Sequence, residues 1–331
     1  MLMQEPARPQ ICAVAAMMNA SLQTSYIEGM DMATEQLRCA CARSDEEIAL
    51  IANRMRHDEI EMLAASGSGH PGGSLSATDV LATLYFSGVM GYDPADAECA
   101  ERDRFVLSKG HAAPALYAVL AQVGYLPREE LVTLRKFGSR LQGHPDCHAC
   151  PGVEVCTGSL GQGLSVASGM ALGFKLDAAR DGGEPRRAFA LLGDGELQEG
   201  QNWEAAMFAS HKGLDNLVAI VDSNNLQIDG HVSDVCAVQP IDARFEAFGW
   251  NVIKVTDGNS VPAVRAALEE AVAHEGAPTA IICTTIKGKG VSFMEDQVGW
   301  HGNAPSAEQA EAALAEIDAA GDKLACAGKE A

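Results

Sequence analysis

The sequence predicts an α/β fold, a doubly wound and mainly parallel sheet with helices on both faces. Two observations and one general rule predict the architecture. Short apolar runs of strand length alternate with stretches of helical periodicity. Strands that alternate with helices pair in parallel and are covered on both faces. No repeat and no long linker interrupts residues 45–305.

The elements follow in order. Residues 1–44 lack sustained periodicity and read as an N-terminal extension of unknown role. Ser44 followed by Glu47 is a helix-capping pattern, and Ile48, Ile51, Met55 and Met62 keep helical spacing up to Gly67. A second helix is expected from Ala77 to Val89. Further helices are expected over Pro114–Val123, Arg128–Phe137, Gln162–Ala179, Glu196–His211 and Pro262–His274. Between them, Phe105–Leu107, Ala188–Leu192, Leu217–Val221, Val252–Val255 and Thr279–Thr284 read as strands. Residues 306–331 form a C-terminal segment, helical over Ser306–Ala320 and frayed at its end.

Composition narrows the function. With 24 Lys and Arg against 45 Asp and Glu, the formal charge is −21, which argues against nucleic-acid and acidic-membrane partners. No apolar stretch approaches the roughly 18–20 residues that span a bilayer. Ten cysteines scattered over 331 residues read as thiols of a cytoplasmic protein rather than a disulfide framework. Cys147, Cys150 and Cys156 cluster beside His144 and His148. The Cys147-x-x-Cys150 spacing invites a zinc reading, yet no second pair follows at finger spacing, so the segment reads as a loop that carries cysteines.

The most informative stretch begins at the end of the second strand: Gly193-Asp194-Gly195-Glu196-Leu197-Gln198-Glu199-Gly200. A carboxylate between two glycines can hold a hard cation, while the glycines let backbone amides approach a phosphate. Magnesium wants six oxygens, and one Asp is not enough. The next strand ends in Asp222-Ser223-Asn224-Asn225-Leu226, with Asn224 thirty residues after Asp194. That spacing is the thiamine-diphosphate signature. Each piece alone is ordinary turn chemistry.

With these residues in place, the chain closely resembles transketolase. Ser68-Gly69-His70-Pro71-Gly72-Gly73, Leu107-Ser108-Lys109-Gly110-His111, Gly143-His144-Pro145 and Thr157-Gly158-Ser159-Leu160-Gly161-Gln162-Gly163 follow in the family's order over residues 45–305. The resemblance implies the diphosphate-binding domain of a thiamine-diphosphate-binding fold, holding thiamine diphosphate with Mg2+ or Ca2+. Asp194 and Asn224 would be the side-chain metal ligands and the Leu226 carbonyl the third. Gly193, Gly195 and Glu196 would lie at the diphosphate end, and Gly158, Ser159 and Leu160 at the aminopyrimidine ring; Lys287, after the last strand, reads either as facing the diphosphate or as a solvated lysine. His70, His111, His144 and His301 would line the channel to the thiazolium. His144 would bond the donor's first hydroxyl, while His70 and His301 would move the proton of the hydroxyl beside the cleaved bond.

The family's activating glutamate belongs to a second, pyrimidine-binding domain, and Glu199 matches a position that reaches toward it. The resemblance therefore implies an N-terminal subunit of a two-chain transketolase, working as a heterotetramer with a C-terminal subunit on sugar phosphates. Two alternatives remain open from sequence. One is the corresponding chain of a related transferase that takes an unusual pentulose phosphate or pyruvate. The other is a non-catalytic cofactor-binding module.

Overall fold

A computed structural model describes residue 37 and residues 41–327, so most of the expected N-terminal extension and the chain's last four residues lie outside the described residues. The first long helix, α1 (Asp45–Ser66), starts where Ser44 and Glu47 cap it reciprocally. Glu47 N–H donates to Ser44 Oγ at 3.2 Å, and Ser44 N–H donates to Glu47 Oε2 at 2.8 Å. Such a cap contributes about 1 kcal/mol. Gly67, with φ +64°, ends the helix in the left-handed region.

Five strands form one parallel sheet: β1 (Arg104–Leu107), β2 (Ala188–Gly193), β3 (Leu217–Ser223), β6 (Asn251–Val255) and β7 (Thr279–Thr284), in the order β1-β2-β3-β7-β6. A two-stranded hairpin, β4 (Leu226–Gln227) and β5 (Gly230–His231), follows β3. Alternation along the strands builds two cores. Phe189, Leu191, Val218 and Ile220 face one layer with α1, α2 (Pro71–Phe86), α3 (Ala113–Val123) and α8 (Val261–Ala273). Ala190, Leu192, Ala219 and Val221 face the other, with α4 (Gly163–Asp181), α5 (Gly200–His211) and α7 (Ile241–Ala247), beyond the short α6 (Val232–Val235). A third cluster seats α9 (Ala307–Ala327) on α1 through Ile60, Ala313 and Ile317. Among the described residues no helix is long and apolar enough to cross a membrane.

The expected fold class holds, and all five expected strands are present. Boundaries moved where backbone detail decides them. α2 begins at Pro71, six residues before the expected start, because Pro71 is set for the first helical turn and Gly72 and Gly73 continue the helix. A Cβ on Gly72 would press on Lys287 and the Trp300 carbonyl, so these glycines allow close approach rather than break the helix. The helix expected over Arg128–Phe137 is only a 3₁₀ segment, Arg128–Thr133, ended by extended ψ at Leu134 and by φ +59° at Arg135. The helix expected from Glu196 is split into a 3₁₀ turn, Gly195–Gln198, and α5, with Glu199 extended between them. The C-terminal helix runs to Ala327, past the expected Ala320.

Candidate active site

The site lies beyond the carboxyl ends of β2, β3 and β7, where an open parallel sheet presents loops to a ligand. A cavity of about 410 Å³ is lined there by His70, His111, Gly158, Leu160, Gly193, Asp194, Gly195, Glu196, Glu199, Asn224, Leu226, Lys287 and His301, along with Lys109 and Asp222. Of the cofactor, metal and channel residues that the resemblance implies, only Ser159 and His144 stand outside its wall.

The metal-ligand candidates converge. Asp194 follows β2 and is 3% exposed. Its Oδ1 accepts from Gly195 N–H at 2.8 Å and its Oδ2 from Asn225 N–H at 2.5 Å. Asn225 has φ +57°, a left-handed position that Asn tolerates, and this turn aims its N–H at the carboxylate. Burial, with the Asp222 charge second, pushes the Asp194 carboxyl up to about 6, against the two backbone bonds that lower it. The Asn224 amide oxygen accepts from Leu226 N–H at 3.0 Å, and the Leu226 carbonyl accepts from Lys287 Nζ at 2.9 Å.

Carboxylate, amide oxygen and backbone carbonyl form a hard-oxygen set of the kind magnesium or calcium takes. The Lys287 ammonium on the Leu226 carbonyl is already a cation at that set. Glycines clear the space around it: Gly73, Gly158, Gly193 and Gly195 all stand on the wall. The residues present therefore fit a divalent cation with a diphosphate.

Under this set lies a buried ion pair that the motifs did not single out. Lys109 donates to Asp222 and, at 2.7 Å, to the Gly73 carbonyl. Asp222 also accepts from Ser76 Oγ at 2.5 Å, from Thr285 Oγ1 and from Asn224 Nδ2 at 3.2 Å. The signal was available, because both charged residues stand inside the quoted motifs at strand ends, where an unpaired buried charge is untenable.

Glu196 is likewise buried, and its carboxylate is used within the chain. It accepts from Ser108 Oγ and from the N–H groups of Gly161 at 2.9 Å and Gly193 at 3.0 Å. It thus brackets the Gly158–Gly161 loop against the end of β2. Glu199 is exposed at the cavity edge, and Ser159 is exposed outside it.

Three histidines line the same cavity. Ring centroids are 5.3 Å apart for His70–His111, 5.6 Å for His70–His301 and 5.3 Å for His111–His301. Burial, then nearby cations, lowers His70 to about 4 and His301 to about 3, and keeps His111 well below its usual value. All three are neutral imidazoles near pH 7. Lys287 Nζ lies 2.7 Å from His301 Nδ1, so the ammonium donates and the imidazole's own proton is assigned to Nε2. His70 Nδ1 is buried with no hydrogen-bond partner in the chain.

The fourth histidine sits next door. His144 is exposed and lines a separate space of about 630 Å³ with Ser68, Arg135, Asp146 and Cys156. Its ring packs on Gly158, where a Cβ would come within 2.8 Å. Burial and Arg135 lower its pKa. Arg135 reaches Ser68 Oγ at 3.3 Å and the Gly143 carbonyl at 3.4 Å, a cation at this mouth that no motif announced.

Comparison with known proteins decides the family. Residues 48–319 match the family described as transketolase, thiamine diphosphate binding domain. The chain belongs to the transketolase family. It is 44% identical over 270 residues to the 6-deoxy-6-sulfo-D-fructose transketolase subunit SqwG of Clostridium sp. (strain MSTE9), covering 82% of this chain and 96% of that protein. It is 41% identical over 275 residues to one of the subunits of apulose-4-phosphate transketolase from Actinobacillus succinogenes, covering 83% and 97%. Human transketolase is 46% identical over 267 residues, which is 80% of this chain but 41% of that enzyme. The solved transketolase of Leishmania mexicana superposes with a TM-score of 0.74 at 32% identity, over 87% of this chain and 46% of that one. The chain thus spans nearly all of relatives named as subunits and less than half of relatives named transketolase alone. It is a thiamine-diphosphate-binding chain in a family of transferases.

Proposed function

We propose that the chain is the cofactor-binding subunit of a two-chain transketolase, transferring a two-carbon ketol unit between sugar phosphates with a separate pyrimidine-binding subunit. The observation that carries this is one cavity in which a hard-oxygen set, two buried lysines and three neutral histidines meet, with Lys287 bonded to both the Leu226 carbonyl and His301. A non-catalytic module has no use for that combination.

When bound, thiamine diphosphate supplies the electron sink for the carbanion left by cleaving a ketose between its second and third carbons. Asp194, Asn224 and the Leu226 carbonyl hold the divalent cation. Lys109 and Lys287 place positive charge beside the diphosphate, and the Gly158–Leu160 loop lies at the ring end. His70, a neutral imidazole on the cavity wall, accepts the donor's hydroxyl proton. His301 presents an N–H on Nε2, and His111, 5.3 Å from each of the other two rings, completes the histidine wall. His144 and Arg135 meet the donor at the mouth, where Arg135 offers a local cation on a chain of charge −21. Glu199, exposed at the rim, faces the partner that brings the activating glutamate.

Assembly with further chains is supported by apolar side chains left bare on the outer helices. Leu176 on α4 is 62% exposed and Met207 on α5 59%, while Ile228 at the cavity rim is 68% exposed. A heterotetramer would cover them. The eight described cysteines are all free thiols, which suits a reducing, cytoplasmic setting.

A second reading of the substrate draws on the relatives named for 6-deoxy-6-sulfofructose and apulose 4-phosphate, and holds that this chain too takes an unusual ketose. The test is co-expression with the pyrimidine-binding partner, followed by a donor screen of xylulose 5-phosphate, those two ketoses and pyruvate. The complex should turn over one ketose, and Asp194→Ala should abolish both turnover and cofactor binding. Full turnover by this polypeptide alone overturns the two-chain reading.

A further inference from the structure

The loop between His144 and Gly158 folds back on itself around Pro151-Gly152, with Gly152 at φ +80°. Two inward anchors hold it. Cys150 is 2% exposed in the core, its Sγ 3.8 Å from the Pro151 carbonyl, and Glu154 pairs with Arg102 and Arg104. This geometry removes Cys150 from the Cys147-x-x-Cys150 pairing that the spacing suggested. It brings Cys156 to Cys147 instead, with their sulfurs 3.5 Å apart.

Two further ligand types join that pair. Asp146 Oδ1 lies 3.3 Å from Cys156 Sγ and accepts from His148 N–H at 2.9 Å. One ligand atom from each of Asp146, Cys147, His148 and Cys156 falls within 4.8 Å of all the others. In a tetrahedral zinc site, with Zn–S about 2.3 Å and Zn–O about 2.0–2.2 Å, sulfur–sulfur edges are about 3.8 Å and sulfur–oxygen edges roughly 3.5 Å. The two spacings here are already within a few tenths of an ångström of those edges.

We propose that Asp146, Cys147, His148 and Cys156 form a zinc site. Two thiolates and an imidazole select a soft or borderline divalent ion, not the hard cation suited to Asp194 and Asn224. Binding forms two zinc–thiolate bonds and releases both thiol protons to solvent, with Asp146 ionised and His148 neutral. Half-buried or exposed ligands leave an open entry path. The ion would tie together the two ends of one loop. Asp146 lies two residues after His144 and Cys156 two residues before Gly158, the pair that pack against each other at the channel mouth.

The zinc site stands independently of the cofactor reading, and the test separates them. The full-length chain is equilibrated with micromolar Zn2+ in excess Mg2+ under reducing conditions, gel-filtered and analysed for metal, and in parallel loaded with Co2+. The expected result is one zinc per chain, with a thiolate-to-cobalt charge-transfer band and strong tetrahedral d–d bands. Cys147→Ser, Cys156→Ser and His148→Ala should each weaken zinc at least tenfold. Cys150→Ala and Asp194→Ala should leave it bound. Because the ligands lie near the surface, circular dichroism of the serine variants should match the parent. Zinc absent from the parent, zinc retained by the Cys147→Ser/Cys156→Ser double variant, or zinc lost in Asp194→Ala overturns the proposal. So does a Cys147–Cys156 disulfide in protein that never takes up cobalt.

Discussion

Lys109 and Asp222 bury their charges against each other directly beneath the cavity, at 2% and 0% side-chain exposure. They come from the ends of β1 and β3, with β2 between them. Against the burial that would raise it, Lys109 and the hydroxyls of Ser76 and Thr285 hold the Asp222 carboxyl below its usual value. The pair therefore locks the floor on which Asn224 and Asp194 stand.

Lys109→Ala should cost about 3–5 kcal/mol, because it leaves a buried carboxylate without its cation. Urea denaturation followed by circular dichroism measures the loss. The Lys109→Met/Asp222→Asn double variant should recover most of it, since no lone charge then remains.

Glu196→Ala should loosen the loop it brackets. Three donors lose their acceptor, the Ser108 hydroxyl and the amides of Gly161 and Gly193, each worth about 1–3 kcal/mol if left buried and unpaired. Hydrogen exchange at Gly161 and Gly193 should accelerate far more than exchange in β7. Uniform acceleration across the sheet would show that the bracket is not local.

Gly158→Ala should both strain the chain and displace a site residue. Its φ of +134° disfavours any side chain, at about 1–3 kcal/mol, and the new methyl would meet the His144 ring at 2.8 Å. Thiamine diphosphate affinity, followed by calorimetry in Mg2+, should fall at least tenfold. Gly138→Ala also has φ +81°, but its Cβ meets open space, so cofactor affinity should stay unchanged.

Stability should fall as pH rises from about 5 to 8. Glu59 is fully buried, with Oε1 accepting from Thr78 Oγ1 at 2.9 Å and Oε2 without a partner. Burial pushes its carboxyl from 4.5 up to about 8. The folded chain favours the neutral acid, so this contribution is complete below 4.5 and is lost as pH passes through 8. Glu59→Gln should flatten that slope and raise the melting temperature at pH 8 while leaving it nearly unchanged at pH 4.5. An equal slope in both proteins would assign the pH dependence to another group.

The strands were legible in local composition, because β2, β3 and β7 are buried on both faces and their central positions are all apolar. The capping box at Ser44 was legible for the same reason: its partners are three residues apart. The Asp194 and Asn224 pair could be read at a distance because parallel strands align their ends. Other features could not be read locally. Gly72 and Gly73 look like helix breakers until Lys287 and His111, from remote segments, occupy the space a side chain would need.

By itself, then, the sequence determined the sheet, the family resemblance and which residues are proposed to meet a diphosphate. Those depend on periodicity and on motifs short enough to carry their own geometry. Tertiary structure decided which charges neutralise one another, which histidines share a wall and which lie beside it, and which cysteine meets Cys147. The first two are contacts between segments far apart in the chain, set by packing and by the cost of leaving a buried polar group unpaired, and the third is set by how one loop folds back on itself.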